Sequence, residues 1–346
     1  MISANVSAFS IGKAVGRGGG GGDLYDFSSF TFSHGTATSR VPNSPGAPRN
    51  TTRGDYVYGN TKSQFLAVYD TTVNPWLDDS SFYDVEGAGN GVQKWTVPSS
   101  GDYKFTVKGA AGGSQNGAGY AGGNGAQIIA TLSLTEGDII RMLAGKRGED
   151  TYTGNKKAGA GGGGGTFVFG SLTDTEPLLV AGGGGGSQKA GVGSNASTST
   201  SGTVGTANGH SGELGGTSGN MGNNVIDGNY DSGSGAGWKS GNGEITLGND
   251  ATIGYAPKNG GWGGYRSSDS SDDWGGHGGF GGGGGGTTQN GAGGGAGGYS
   301  GGGGGSANPN YSGGGGGGSY ITPSATNTAV SILGAINHGS ILVQKL

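Results

Sequence analysis

Runs of five or six consecutive glycines occur at 18–22, 161–165, 182–186, 281–286, 301–305 and 313–318. No other feature restricts the fold as strongly, because glycine offers no side chain to bury. Such runs are either flexible linker or structure made from backbone alone. Their constant length argues against linker. A polyproline-II-type helix has three residues per turn, so five or six residues span roughly 16–19 Å, the length of an ordinary strand. It has no internal hydrogen bonds, and its outward N–H and C=O groups must be met by neighbours. Ordering a glycine costs about 0.5–1 kcal/mol more than ordering alanine, and each hydrogen bond returns about 0.5–1.5 kcal/mol. A lattice is therefore feasible if nearly all its bonds form and a folded clamp holds its ends. The expected lattice residues are Gly161, Gly163, Gly165, Gly182, Gly184, Gly186, Gly281, Gly283, Gly286, Gly301, Gly303, Gly305, Gly313, Gly315 and Gly318. Within 278–305, Gly281–Gly286 and Gly301–Gly305 read as two rods, separated by the turn "TTQN" and a broken third rod. Collagen is excluded, since no Gly-X-Y period persists and there are only 9 prolines.

Composition points the same way. Leu, Ile, Val and Phe number 54 of 346 residues, against 90 glycines. So few hydrophobic residues suggest disorder, but disorder also asks for high net charge. The formal charge is −4 and 12% of residues are charged. The four basic residues between 182 and 317 (Lys189, Lys239, Lys258, Arg266) face eight acidic ones. Phosphate backbones are bound by clustered cations, so no nucleic-acid partner is expected. The chain has no cysteine, which rules out disulfides and Cys-based zinc sites. The start, "MISANVSAFSIGKAVGRGGGGG", lacks a basic n-region and an apolar core of signal length, and no apolar run reaches membrane-helix length. The expectations are folding in a reducing cytoplasm and no membrane insertion.

Outside the glycine the pattern is β. In "DYKFTVK", Tyr103, Phe105 and Val107 alternate with polar residues; in "QIIATLSL", Ile128, Ala130, Leu132 and Leu134 share a face. "YDFSSFTFS", "VQKWTVP", "DIIRMLAG", "GTFVFG", "EPLLVAG" and "SILVQKL" add short strand-like runs, punctuated by "PSSGD", "LTEGD" and "SLTDTEP". Trp95 and Val97 share a face with Gln93. No helical period is sustained. The expected fold is all-β: a jelly-roll-like β-sandwich with a long inserted bundle of polyglycine II helices. The expected parts are an N-terminal arm at 1–22, the sandwich at 23–181, the glycine lattice at 182–317 and closing strands at 318–346.

The segments "GVQKWTVPSSGDYKFTVKGAAGG", "AQIIATLSLTEGDIIRMLAGKRGED", "AGAGGGGGTFVFGSLTDTEPLLVAGGGGG", "GGFGGGGGG", "GGYSGGGGG" and "NHGSILVQKL" occur in one order. That order resembles the extracellular glycine-rich region of the anaplastic lymphoma kinase and leukocyte tyrosine kinase receptors, over about residues 91 to 346. The resemblance implies a tumour-necrosis-factor-like jelly roll joined to polyglycine II helices. Kinase domain, membrane span and the family's cysteines are all missing, so the chain looks like the module alone. Its front portion is similar to the lead-in of glycine-rich virion proteins. Phage tail-fibre tip adhesins use a polyglycine II sandwich to present host-binding loops, a looser likeness of principle.

Enzymatic chemistry finds little support. GxGxxG matches arise by chance at this glycine content, and none follows a strand and opens a helix. His34, His210, His277 and His338 lack metal-ligand spacing, and His338 sits in a turn, "NHG". Asp269, Asp272 and Asp273 in "SDSSDDW" read as a solvated acidic loop more readily than as a calcium site. A polysaccharide-degrading enzyme would need paired acids in a cleft, and no credible pair exists. No cofactor is expected. Phe280 and Tyr299, which break glycine runs, read as packing residues. Trp262, Tyr265 and Trp274, in "NGGWGGYRSSDSSDDWGG", are the candidate contact residues, since exposed aromatic faces suit sugars or protein pockets. The resulting expectation is a non-enzymatic virion protein of a tail, fibre or capsid that displays host-recognition loops. Its expected partners are other virion proteins through residues 1–22, a host surface glycan or protein, and further copies of itself. The alternative is a soluble receptor- or ligand-binding module acting outside the cell.

Overall fold

The computed structural model describes residues 23–35, 57–86, 91–115, 119–151, 158–189, 191–207, 210–224, 232–242, 251–267, 274–288, 291–306, 311–335 and 337–346. The arm at 1–22, with its glycine run, and the acidic loop at 268–273 lie outside them. The strands are β1 (Ser29–Ser33), β2 (Tyr83–Glu86), β3 (Val92–Thr96), β4 (Gly101–Lys108), β5 (Ala126–Leu134), β6 (Ile139–Leu143), β7 (Thr166–Phe169), β8 (Leu179–Ala181), β9 (Thr206–Ala207), β10 (His210–Ser211), β11 (Tyr320–Ile321), β12 (Thr326–Ile332) and β13 (Ser340–Lys345). A five-stranded sheet has the order β1-β13-β4-β5-β12, and a six-stranded sheet the order β11-β8-β7-β6-β3-β2. Every pairing in them is antiparallel. The β4–β5 hairpin lies in one sheet and the flanking strands β3 and β6 pair in the other. The protein is an all-β sandwich.

The alternating residues meet between the sheets. Tyr103, Phe105 and Val107 of β4 and Ile128, Ala130 and Leu132 of β5 are buried with Trp95, Ile140, Met142, Val168, Leu179, Ile341 and Val343. Gln93 also points inward. Its carboxamide donates to the Ser33 carbonyl at 2.9 Å and accepts from the Tyr69 and Tyr83 hydroxyls at 2.7 and 3.1 Å. A buried amide so satisfied is tolerated. One short helix, α1 (Lys62–Leu66), is held by a capping box in which Thr61 and Gln64 bond each other's backbone.

The runs "TFVF" and "LLVA" are apolar throughout because β7 and β8 are covered on both faces. Val168 and Leu179 face the sandwich core. Phe167, Phe169 and Val180 face outward against Trp238, Phe280 and Tyr299 of the glycine-rich region. The six-stranded sheet is thus the middle of three layers.

The third layer is backbone. Gly159, Gly162 and Gly165 donate to the carbonyls of Thr287, Gly284 and Gly281; Ala160 and Gly163 donate to Ser187 and Gly184; Gly161 and Gly164 donate to Glu149 and Lys146, all at 2.8–3.0 Å. Partners recur every third residue on three sides, and three residues per turn is the period of the polyproline-II-type helix. Gly183 and Gly186 likewise bond Gly297 and Gly294, and Gly184 and Ser187 bond Ala110 and Gly113. Gly301 and Gly304 bond Asn220 and Asn223, Gly302 and Gly305 bond Ala296 and Gly293, and Gly315 and Gly318 bond Gly303 and Ser300.

Two details of the expected parse change. The piece between the long runs is unbroken: Gly293, Ala296 and Tyr299 bond Ser312, Gly315 and Gly318, while Gly294 and Gly297 bond Ala160 and Gly163, and Gly295 and Gly298 bond Gly233 and Ala236. The run 281–286, by contrast, is not one rod. Gly281 and Gly282 have φ of +98° and +85°, so they turn the chain, which only glycine does readily, and the extended part begins at Gly283. The layer also takes in 109–113, 145–149 and 159–165, which abut β4, β6 and β7.

Candidate functional site

Two surface regions gather aromatic and charged side chains. The first holds the three residues singled out from the sequence. A 3-10 turn, Pro257–Asn259, ends on Gly260 in the left-handed region, and the chain doubles back so that the Tyr255 N–H donates to the Trp262 carbonyl at 2.8 Å. This places Trp262 edge-on to Tyr255 and Tyr58, with ring centroids 5.1 and 5.6 Å apart. Trp262 is half-buried against the outer cluster that contains Leu143 and Phe280. Its indole Nε1 is buried with no hydrogen-bond partner among the described residues.

The Tyr265 hydroxyl lies 3.2 Å from that of Tyr58. Its ring stands edge-on to His277 at 6.1 Å. The Arg266 guanidinium sits 4.6 Å from the centroid of Trp274 and 3.5 Å from the Glu149 carboxylate. Burial lowers the Arg266 pKa and Glu149 opposes that shift. Trp262 and Tyr265 therefore meet through Tyr58, and Trp274 joins them through Arg266. All three are half-buried and engaged within the chain, so the trio reads as a braced rim of the lattice and not as an open aromatic platform. Phe280 and Tyr299 are buried, as packing residues should be.

The second region contains none of the three contact candidates. Tyr25, Asp26, Thr72, Val73, Pro75, Trp76, Asp79 and Phe82 line an open groove of about 500 Å³ on the sandwich. Its signal in the sequence is "VNPWLDDSSF", where the apolar pair Trp76 and Leu77 after a proline is followed directly by Asp78 and Asp79. Tyr25 stacks on Trp76 at 5.3 Å and meets Phe82 at 4.7 Å. The Tyr25 hydroxyl donates to the Thr96 carbonyl at 2.5 Å, and burial raises its pKa far above the usual phenol value.

A third cluster is internal. His34, just past β1, stacks on His338 with centroids 3.8 Å apart and planes 10° from parallel. His338 Nδ1 accepts the Arg147 N–H at 3.1 Å. Beside them Lys146, almost fully buried, donates to the Asn60 side chain at 2.9 Å. Burial is the main cause that pushes His34 down to about 3 and His338 to about 4, assisted by Lys146.

Among the described residues no group of three His, Cys, Asp or Glu side chains could hold a metal ion. No helix among them is long and apolar enough to cross a membrane. No family model matches the chain.

Proposed function

We propose that this chain is a non-enzymatic virion structural and attachment protein. In it a polyglycine II lattice, clamped to a jelly-roll-like sandwich, serves as a stiff spacer that displays host-recognition loops. The observation that carries the reading is the three-residue period of inter-segment backbone hydrogen bonds, in which Gly159–Gly165 reaches three different neighbours. Such a layer needs no side chains in its interior, so residues in the connecting loops are free to vary without unfolding it. The residues at 1–22 would attach the protein to other virion components. The resemblance to the kinase receptors' glycine-rich region supports the same architecture, and the lack of cysteine favours the virion over a secreted module.

Quantitative mass spectrometry of purified particles from the source tests this. The chain is expected at a fixed copy number relative to the major capsid protein. Absence from particles, with the protein recovered free and bound to a secreted polypeptide, would instead establish the soluble binding module.

A further inference from the structure

We propose that the buried Lys146 and Asn60 side chains condense into an intramolecular isopeptide bond, an amide between Lys146 Nζ and Asn60 Cγ formed with loss of ammonia. This goes beyond the virion reading and does not depend on it.

The two groups are already in contact. Lys146 Nζ donates to Asn60 Oδ1 at 2.9 Å, and Cγ is one bond beyond that oxygen. Lys146 is 3% exposed and Asn60 4%, an uncommon place for a lysine. Four segments hold the pair. Lys146 stands in the glycine layer, where its N–H donates to the Phe280 carbonyl at 2.8 Å and its own carbonyl accepts from Gly164 at 2.9 Å. Asn60 directly precedes Thr61, the N-cap of α1. Gly35, with φ of +77°, lets the carboxamide nitrogen approach closely: a Cβ there would lie 2.2 Å from Nδ2. The stacked rings of His34 and His338 stand beside Lys146, and the Gly339 N–H donates to the Gly145 carbonyl at 2.8 Å.

Lysine attacks a carbonyl carbon as its free amine, and desolvation favours that form. The Nζ lone pair makes the new bond to Cγ, the Cγ–Nδ2 bond breaks, and its electron pair leaves with Nδ2. The protons shed by Nζ end on the departing nitrogen, and burial keeps both neighbouring imidazoles uncharged and so able to relay them. An ammonium group and a primary amide become a secondary amide and an ammonium ion, with no oxidant, reductant or added group. Well-oriented groups react as though one were present at about 10⁵–10⁸ M, and burial keeps water from competing for Cγ. In a chain without cysteine, the bond ties the segment before α1 to the glycine layer across 86 positions. Closing so long a loop removes entropy from the unfolded chain.

The test is the intact mass of the full chain in denaturant, followed by tryptic mapping. The mass should be lower than that of the sequence by one ammonia. Residues 54–62 and 142–147 should elute as one branched peptide, because trypsin cleaves after Arg53, Lys62, Arg141 and Arg147 but not after an acylated Lys146. Lys146→Arg, which keeps the charge and the donor, should have its full mass and yield the two peptides separately, as should Asn60→Ala. The wild-type mass decides the question even if a variant folds poorly. A wild-type chain of full mass would overturn the proposal. So would ammonia loss with the two peptides separate, which would mark a succinimide at Asn60, or ammonia loss that persists in Lys146→Arg.

Discussion

At the residue scale, glycine matters here for what a side chain would strike. A Cβ on Gly303 would lie 1.9 Å from the Glu213 carbonyl oxygen, and one on Gly163 would lie 2.5 Å from that of Ala111. The Cα–H bonds at these places point at backbone acceptors, the geometry of weak Cα–H···O contacts. Gly303→Ala should therefore cost about 3 kcal/mol or more, as rigid backbone must move apart. Gly334 has nothing within 4 Å of its would-be Cβ, and Gly334→Ala should change stability by about 0.5 kcal/mol at most. Paired denaturant titrations check this; equal effects would mean that the rods tolerate side chains. The histidine pair makes a second prediction. The folded pKa values of His34 and His338, about 3 and 4, lie below the unfolded value near 6.5. Between those limits the unfolded chain binds more protons, so the stabilisation is complete above about pH 6.5 and is lost as pH falls toward 4. The loss should reach about 2 kcal/mol per pH unit for the two rings together. His34→Phe keeps a flat ring for stacking on His338 and should roughly halve the slope of stability against pH between 6.5 and 5. An unchanged slope would place the acid sensitivity elsewhere.

At the element scale, strands and rods are continuous pieces of chain. β4 runs into 109–113, β8 runs into 182–187, and 313–318 leads into β11. The sheet pins one end of each of these three segments, so part of the entropy of ordering their glycines is already lost when the sandwich forms. The centre of the layer is 293–299, whose amides bond three neighbours. Amide hydrogen exchange there should be as slow as in β4, because opening one rod strips bonds from three others. Exchange at unstructured-chain rates in 293–299 would refute an ordered lattice. Legibility also divided by element. Strict alternation disclosed β4 and β5 from a few residues each. The "TKSQ" capping box of α1 is a local signal, but it stands alone within a β-rich stretch and no helical period follows it. The division of 281–286 into a turn and a rod was not readable, since six identical residues carry no mark of where φ changes sign.

At the scale of the whole molecule, three layers share two aromatic seams. One lies between the sheets, and the other lies between the six-stranded sheet and the glycine layer, where Trp238, Phe280 and Tyr299 cover Phe167 and Phe169. Tyr299 also stacks on Tyr320 of β11 at 4.6 Å. The few aromatics of the glycine-rich region are thus spent largely on attachment to the sandwich. Trp262 and Tyr265 follow that pattern through Tyr58, which leaves the groove at Trp76 as the more open aromatic surface. That groove joins residues about fifty positions apart, Tyr25 and Trp76, and no local pattern announces such a meeting.

The sequence by itself determined the all-β class, because a period of two is a local property of each strand. It also determined that the glycine runs need backbone partners in other segments, because glycine has no side chain to bury and its N–H and C=O groups must be met. Only the tertiary structure decided which run bonds which, where the rods begin and turn, and which aromatics stay at the surface. Glycines are chemically identical, so their pairing is dictated by the strands that deliver them and by backbone carbonyls from distant segments, and neither is written next to them in the chain.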